Sequence, residues 1–258
     1  MSRALSLVRA ILGFTLVAVS ATVWMAFAVV LFPFRVLRIK MGNFYGKTIG
    51  YCIARMAGAT PVVTHRERLD DSFPAIYVAN HTSTVDAFLS IWLCPVGGCG
   101  VMKREILRIP FFGLLYLLSG HLYIDRSRRE KAIAALAGVA AYVRKNGLGI
   151  WIMPEGTRSK TGRLQPFKVG FVHMAIATGL PVVPVVFHDA HRVWPLGPLR
   201  FYPATVDIDV LEPISTQGWT AETAQQHADE VHDLMARALR AHQRPLPIEA
   251  EALAVAAE

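Results

Sequence analysis

The sequence predicts an α/β fold, in which helices flank a mixed and mainly parallel sheet, with an N-terminal membrane-associated helical segment. Two observations support this prediction. Short β-rich runs alternate with helical stretches after Gly58, which is typical of strands joined by crossover helices. Before that point, residues 10–34 contain no charged side chain, which is the composition of a membrane helix.

The apolar stretch is long enough, at about 1.5 Å per helical residue, to cross a hydrocarbon core of about 30 Å. It is also too long for the apolar part of an ordinary signal peptide. Basic residues flank it on both sides and are denser after it, at Arg35, Arg38 and Lys40. We therefore expect an uncleaved membrane helix or helical hairpin, with the body of the protein facing the cytoplasm.

Residues 41–56 predict a second helix, which either lies at the lipid surface through its basic side chains or packs on the folded body. The net charge of +8 and the pI near 9.7 indicate an anionic partner, namely lipid head groups, nucleic acid or a phosphorylated substrate. The three cysteines form no Cys-x-x-Cys pair, so nothing in their spacing predicts a metal site.

The remaining chain divides into elements by its hydrophobic pattern. Strands are predicted at 61–64, 75–79, 100–102, 121–124, 148–153, 182–187 and 205–211, and helices at 86–93, 111–119, 128–145 and 168–178. An amphipathic helix over 220–242 closes the chain. We therefore predict a membrane-anchoring segment at 1–58, an α/β domain at 59–242 and a loose tail at 243–258.

One histidine and one carboxylate lie at the junction between the strand at 75–79 and the helix that follows it. His81 and Asp86 are five residues apart, so on one regular helix they would point in different directions. They can meet if His81 lies in the loop and Asp86 in the first helical turn. The carboxylate would then hold one ring nitrogen and leave the other free to accept a proton. A purely structural interpretation, a helix cap beside a hydrogen-bonded histidine, remains open.

Two other predicted strands end in an arginine, at Arg126 and within the stretch from Glu155 to Arg158. Lys103 follows a third strand. Since parallel strands deliver their carboxyl ends to one edge of a sheet, these basic groups could approach His81. The planar guanidinium of arginine suits bidentate binding of phosphate.

The order and spacing of these motifs resemble the glycerolipid acyltransferases, and most closely the bacterial 1-acylglycerol-3-phosphate acyltransferases. The resemblance covers roughly residues 61–210 and rests on four motifs: Asn80-His81-x4-Asp86, then 120–126, then Pro154 to Ser159, then Val183-Pro184-Val185. It implies the acyltransferase fold and transfer of a fatty acyl group from acyl-CoA or acyl-acyl carrier protein to a lipid hydroxyl. It implies no metal and no cofactor besides this acyl donor.

The resemblance also implies roles for individual residues. His81 would be the general base and Asp86 its orienting partner, with no acyl-enzyme. The phosphate of a lysophosphatidic acid acceptor would be held by Glu155, Gly156, Thr157 and Arg158, followed by Arg126 and Lys103. Asn80 and Pro184 would shape the pocket. Membrane lipids, the lysophospholipid acceptor and the acyl donor are the expected partners.

Three alternatives remain at this stage. The same chemistry could act on another lysolipid, such as a lyso-ornithine lipid, which has no phosphate for Arg158 to bind. A metal-dependent hydrolase could use His81, Asp86 and Asp125, although these do not form a compact ligand set. A non-catalytic membrane or nucleic-acid binding module is suggested by charge alone, and no nucleic-acid motif accompanies it. We therefore expect no nucleic-acid partner.

Overall fold

The computed structural model of the chain describes residues 3–124, 129–197 and 199–246. Seven strands form a sheet: β1 (Ala59–Thr64), β2 (Ile76–Ala79), β3 (Gly98–Lys103), β4 (Leu122–Ile124), β5 (Gly149–Ile152), β6 (Val182–Phe187) and β7 (Ala204–Val210). The helices are α1 (Arg3–Val30), α2 (Arg35–Ala57), α3 (Glu67–Asp71), α4 (Thr84–Leu93), α5 (Phe112–Leu118), α6 (Arg129–Asn146), α7 (Gly170–Thr178), α8 (Ala190–Val193) and α9 (Ala224–Ala238).

The strand order is β1-β7-β6-β2-β5-β3-β4, and β6 and β7 are the antiparallel neighbours. The five strands from β6 to β4 therefore run in one direction and end at the same edge of the sheet. Every predicted strand corresponds to an observed one. The prediction of a mixed, mainly parallel sheet flanked by helices is confirmed.

The central strands are buried on both faces, as expected when helices cover both sides of a parallel sheet. On β2, Ile76 and Val78 face a core shared with α6, α7 and α9. Tyr77 and Ala79 face the opposite core, which is shared with α2, α4 and α8. Burial of this apolar surface, at about 25 cal/mol per Å², is the main term that holds the layers together.

The helix α1 lies along the body of the protein and contacts it near both ends. Near its start, Ser6 Oγ accepts a hydrogen bond from Phe201 N at 3.3 Å. Near its end, Trp24 Nε1 donates to Ser119 Oγ at 2.9 Å. It is the helix among the described residues that is long and apolar enough to cross a membrane. Its outward side carries exposed apolar residues: Ile11, Leu12, Phe14, Val19, Val23 and Phe27.

The helix α2 begins at Arg35, six residues earlier than predicted, because Pro33 separates it from α1. It packs closely on α4: a Cβ atom at Gly50 would lie 2.5 Å from the Phe88 carbonyl oxygen. Arg35 donates to the backbone carbonyls of Gly120 and His121. Of the two alternatives for this helix, packing on the folded body is therefore the one observed.

Two boundaries near the C-terminus were predicted wrongly. The closing helix spans 224–238 rather than 220–242, because Thr220 and Thr223 form a hydrogen-bonded turn before it and Leu239 is extended after it. The loose tail was predicted from 243, but its first residue packs into the body, and residues 247–258 lie outside the described ranges. Gln243 is fully buried, and its Oε1 accepts a hydrogen bond from Asp189 N at 3.0 Å.

Candidate active site

The loop after β2 starts with Asn80, which is completely buried. Its side-chain amide donates to the Phe187 carbonyl oxygen at 3.0 Å, and its Oδ1 accepts from Phe187 N at 2.7 Å. The side chain thereby continues the pairing between β2 and β6 past the end of β2. These two hydrogen bonds fix the position of the backbone where the next residue, His81, leaves the sheet.

His81 and Asp86 meet as the spacing predicted. The ring Nδ1 of His81 lies 2.7 Å from Oδ1 of Asp86. Asp86 is fully buried, whereas the His81 side chain keeps 19% of its surface exposed. A carboxylate only accepts hydrogen bonds, so Nδ1 carries the proton and Nε2 is left as the basic nitrogen. The geometry is that of an imidazole prepared to take a proton.

Asp86 also caps α4. It is the third residue of that helix, and its Oδ2 accepts hydrogen bonds from Thr82 N at 2.7 Å and Ser83 N at 2.6 Å. Ser83 is the N-cap and accepts from Val85 N, which completes a capping box. This one carboxylate therefore caps the helix and also holds the His81 ring.

A second loop, which follows β5, is hydrogen-bonded to the backbone of His81. Glu155 Oε1 accepts a hydrogen bond from His81 N at 2.6 Å. The amide of Ser159 donates to the His81 carbonyl oxygen at 2.8 Å. Both backbone polar groups of His81 are thus hydrogen-bonded to this loop. The His81 motif and the Glu155 motif are therefore held together.

Glu155 is only 3% exposed. Its Oε2 accepts from Gln165 Nε2 at 3.0 Å and from Gln165 N at 3.3 Å. Burial raises the pKa of Glu155 to about 8, and the N–H donors of His81 and Gln165 oppose that rise. These donors favour the charged carboxylate, whereas burial favours the protonated form and has the larger effect on the pKa of Glu155. Its oxygens face inward, so the side chain connects the two loops.

Arg158 brings a positive charge to the beginning of α4. Its Nη1 donates to Thr84 Oγ1 at 2.6 Å, and the side chain remains exposed. The N-terminus of a helix also favours anions, so charge and helix dipole act together here. Gly156 has a φ of +74°, and a Cβ atom there would lie 2.9 Å from Lys168 Nζ. A second positive charge, the ammonium group of Lys168, therefore lies beside this turn.

Pro184 and Thr157 are the remaining predicted site residues that the structure describes. Pro184 is buried within β6, where it pairs with Val78 and its carbonyl accepts from Leu211 N. Thr157 is exposed, and its carbonyl oxygen accepts from Gln165 Nε2 at 3.1 Å. Lys103 ends β3, but its side chain lies outside the described part of the structure, as does the whole of Arg126.

The hydrolase alternative named Asp125 as a third ligand, and this residue also lies outside the described ranges. Within those ranges, no three histidine, cysteine, aspartate or glutamate side chains are grouped so that they could hold a metal ion.

Sequence reasoning missed two residues of the site, Gln165 and Lys168. Both follow the Glu155 motif within the stretch that leads to α7, where the residues before the helix show no periodicity. The charge of Lys168 was visible in the sequence, whereas nothing local indicated that Gln165 reaches back across ten residues to Glu155.

The Acyltransferase family profile matches residues 61–188. The 1-acyl-sn-glycerol-3-phosphate acyltransferase of Limnanthes douglasii is 37% identical over 242 residues, which covers 94% of this chain and 85% of that protein. The protein of the same name from Escherichia coli is 38% identical over 162 residues, or 63% of this chain and 62% of that protein.

The crystal structure of the 1-acyl-sn-glycerophosphate (LPA) acyltransferase from Thermotoga maritima has the same fold, with a TM-score of 0.63 and 23% identity. It covers 89% of this chain and 95% of that one. The residues matched by the family profile begin in β1 and end just after β6, so they include both loops of the site. Together with the extensive likeness to the Limnanthes enzyme, this match shows that the chain belongs to the acyltransferase family.

Proposed function

We propose that the protein transfers a fatty acyl group from acyl-CoA or acyl-acyl carrier protein to the free hydroxyl of 1-acylglycerol-3-phosphate, giving phosphatidic acid. The observation that carries this proposal is that the His81–Asp86 pair, whose carboxylate is buried, lies with Arg158 at the start of one helix. The names of the relatives support the choice of acceptor.

The chemistry needs only a base and a donor for the developing oxyanion, since a thioester is already activated. His81 Nε2 takes the proton of the acceptor hydroxyl, and the oxygen attacks the thioester carbonyl carbon. As the tetrahedral intermediate collapses, the C–S bond breaks and the leaving thiolate receives the proton from His81. Asp86 stabilises the imidazolium while it exists.

Backbone amides at the N-terminus of a helix can stabilise an oxyanion, and α4 begins three residues after His81. In the structure, Thr82 N and Ser83 N donate to Asp86, and Val85 N donates to Ser83 Oγ. Within the described part of the chain, Thr84 N is the amide of this turn that has no acceptor. The proposed oxyanion donor is therefore Thr84 N, and one such donor is worth about 10²–10³-fold in rate.

Arg158 and Lys168 are the proposed phosphate ligands, because both carry exposed positive charge beside the turn at Gly156. Glu155 has a positioning role in this proposal, since its oxygens are occupied by the donors of the two loops. Gly156 suits this turn, because glycine adopts its positive φ of +74° without strain.

Replacing Arg158 with alanine should raise the KM for lysophosphatidic acid by about 10- to 100-fold, since a hydrogen bond to a charged group is worth about 1.5–3 kcal/mol. The kcat should change much less, because the arginine binds a group remote from the reacting hydroxyl. Steady-state kinetics measures both, with Arg144→Ala, on the opposite edge of the sheet, as the control.

An assay of the purified protein against a panel of lysolipids, with one labelled acyl donor, tests the choice of acceptor. Lysophosphatidic acid should be the preferred substrate. Preferred turnover of a phosphate-free acceptor, such as a lyso-ornithine lipid, together with an unchanged KM in the Arg158→Ala protein, would favour the alternative substrate class.

Replacing Gln165 with leucine should lower kcat/KM about tenfold, because it removes the side-chain donor to the buried Glu155 carboxylate. Without this donor the pKa of Glu155 rises further, so a higher pH is needed to ionise its carboxyl group. The pH of half-maximal kcat/KM on the acid side should therefore move upward. Gln225→Leu, on the exposed side of α9, is the matched control. An unshifted profile would contradict the positioning role.

The proposal includes attachment to the inner (cytoplasmic) membrane, with the site on the cytoplasmic side and membrane lipids as partners. The exposed apolar side of α1 supports lipid contact. A helix that left the body to cross the bilayer would have to break the contacts of Ser6 and Trp24. We therefore favour a helical hairpin that lies in one leaflet over a single span.

A further inference from the structure

Four basic side chains form what we call the strip: Lys160 and Arg163 on the loop after β5, Arg237 near the end of α9, and Arg244 after it. It joins two separate segments of the chain. Arg163 Nη1 donates to the Arg244 carbonyl oxygen at 2.8 Å, and Arg244 Nη2 donates to the Arg237 carbonyl oxygen at 3.1 Å. These contacts hold the loop after β5 against the end of α9 and the turn that follows it.

The strip carries positive charge that the protein itself does not neutralise. Residues 156–168 and 234–246 contain no aspartate or glutamate. The neighbouring Arg240 is neutralised, because it is paired with Asp189 and Asp207. The four side chains of the strip have no carboxylate partner within residues 3–124, 129–197 and 199–246. Exposed charges that lack an internal partner are available to an anionic ligand or protein.

The position of the strip indicates which anion it meets. It begins at Lys160, two residues after Arg158, and therefore starts next to the reacting groups. It leads toward α7 and α9, which cover one face of the sheet. The apolar α1 packs toward the other face, through Ala10. The end of the strip on α9 therefore lies on the face of the sheet opposite to Ala10 of α1, so a water-soluble partner fits it better than membrane head groups.

We propose that this strip is the docking surface for acyl carrier protein, an acidic protein that presents the acyl thioester on a phosphopantetheine arm. This inference rests on the proposed function, because it concerns the donor of that reaction. The phosphates of CoA are compact and suit a pocket of backbone amides and converging side chains. The strip instead spreads its charge over two chain segments, which matches an extended acidic surface.

The test compares two donors that carry the same acyl chain, acyl-acyl carrier protein and acyl-CoA. The double variant Lys160→Glu/Arg237→Glu reverses two strip charges whose side chains make no hydrogen bond or ion pair within the described residues. Its KM for the carrier-protein donor should rise about tenfold or more at low salt, since surface charge governs encounter. Its KM for acyl-CoA should stay within about twofold of the unmodified protein.

The matched control is Arg144→Glu/Lys145→Glu, which makes the same charge change in the last turn of α6, at the edge where β5 begins. It should leave both KM values unchanged. An equal rise for both donors would show that the strip binds phosphates, and no rise for either would remove it as a docking surface. Each result overturns the proposal, as does an unmodified protein that uses only acyl-CoA. Failure of the unmodified protein with both donors would instead refute acyl transfer itself.

Discussion

Alanine in place of His81 is expected to abolish acyl transfer. The imidazole is the only basic group held against Asp86 in the described site, and loss of a general base typically costs about 10²–10⁴-fold in rate. Folding should be unaffected, because the contacts to the backbone N and O of residue 81 remain with Glu155 and Ser159. Turnover with a labelled acyl donor and circular dichroism measure the two properties.

A matched variant separates loss of the base from a general effect of removing a histidine. His173 lies on α7, partly exposed and away from the contacts of the site. His173→Ala should retain normal turnover. Normal turnover in the His81→Ala protein would remove His81 from the mechanism, whatever the other residues do.

Asparagine in place of Asp86 is expected to give the second largest loss, about 10³-fold in kcat, because the amide cannot both accept from the ring Nδ1–H and stabilise an imidazolium. The same change should also lower the melting temperature. The carboxylate accepts two backbone amides as well as the ring, and loss of a cap of this kind costs about 1 kcal/mol.

The combination of the two effects is diagnostic for the dual role of Asp86. A loss of stability with normal kcat would show that Asp86 only caps the helix. Asp233→Asn, on the exposed side of α9, is the control, since among the described residues that carboxylate bonds only to the neighbouring His232. It should change neither kcat nor the melting temperature.

Local patterns were enough to predict most of the fold and the meeting of His81 with Asp86. The alternation of apolar strands and helices determines the layers, and the spacing of five residues allows only one geometry in which the pair can touch. Both inferences depend on residues that are close in sequence. The boundaries failed where tertiary contacts decide, as at Gln243, which is polar and yet fully buried.

The inward orientation of Glu155 could not be predicted from the sequence for the same reason. A charged residue just after a strand is normally exposed, and the resemblance placed it near the phosphate of the acceptor. Its burial arises from His81, which is 74 residues away, and from Gln165. No periodic pattern encodes such a contact, because it forms only when the loops after β2 and β5 come together.

Two hydrogen bonds to the backbone of His81 link the loop that carries this histidine to the loop that carries Arg158. An opening that frees the loop carrying Arg158 also breaks these two hydrogen bonds to the backbone of His81. Loss of the arginine and loosening of the histidine are therefore expected to occur together.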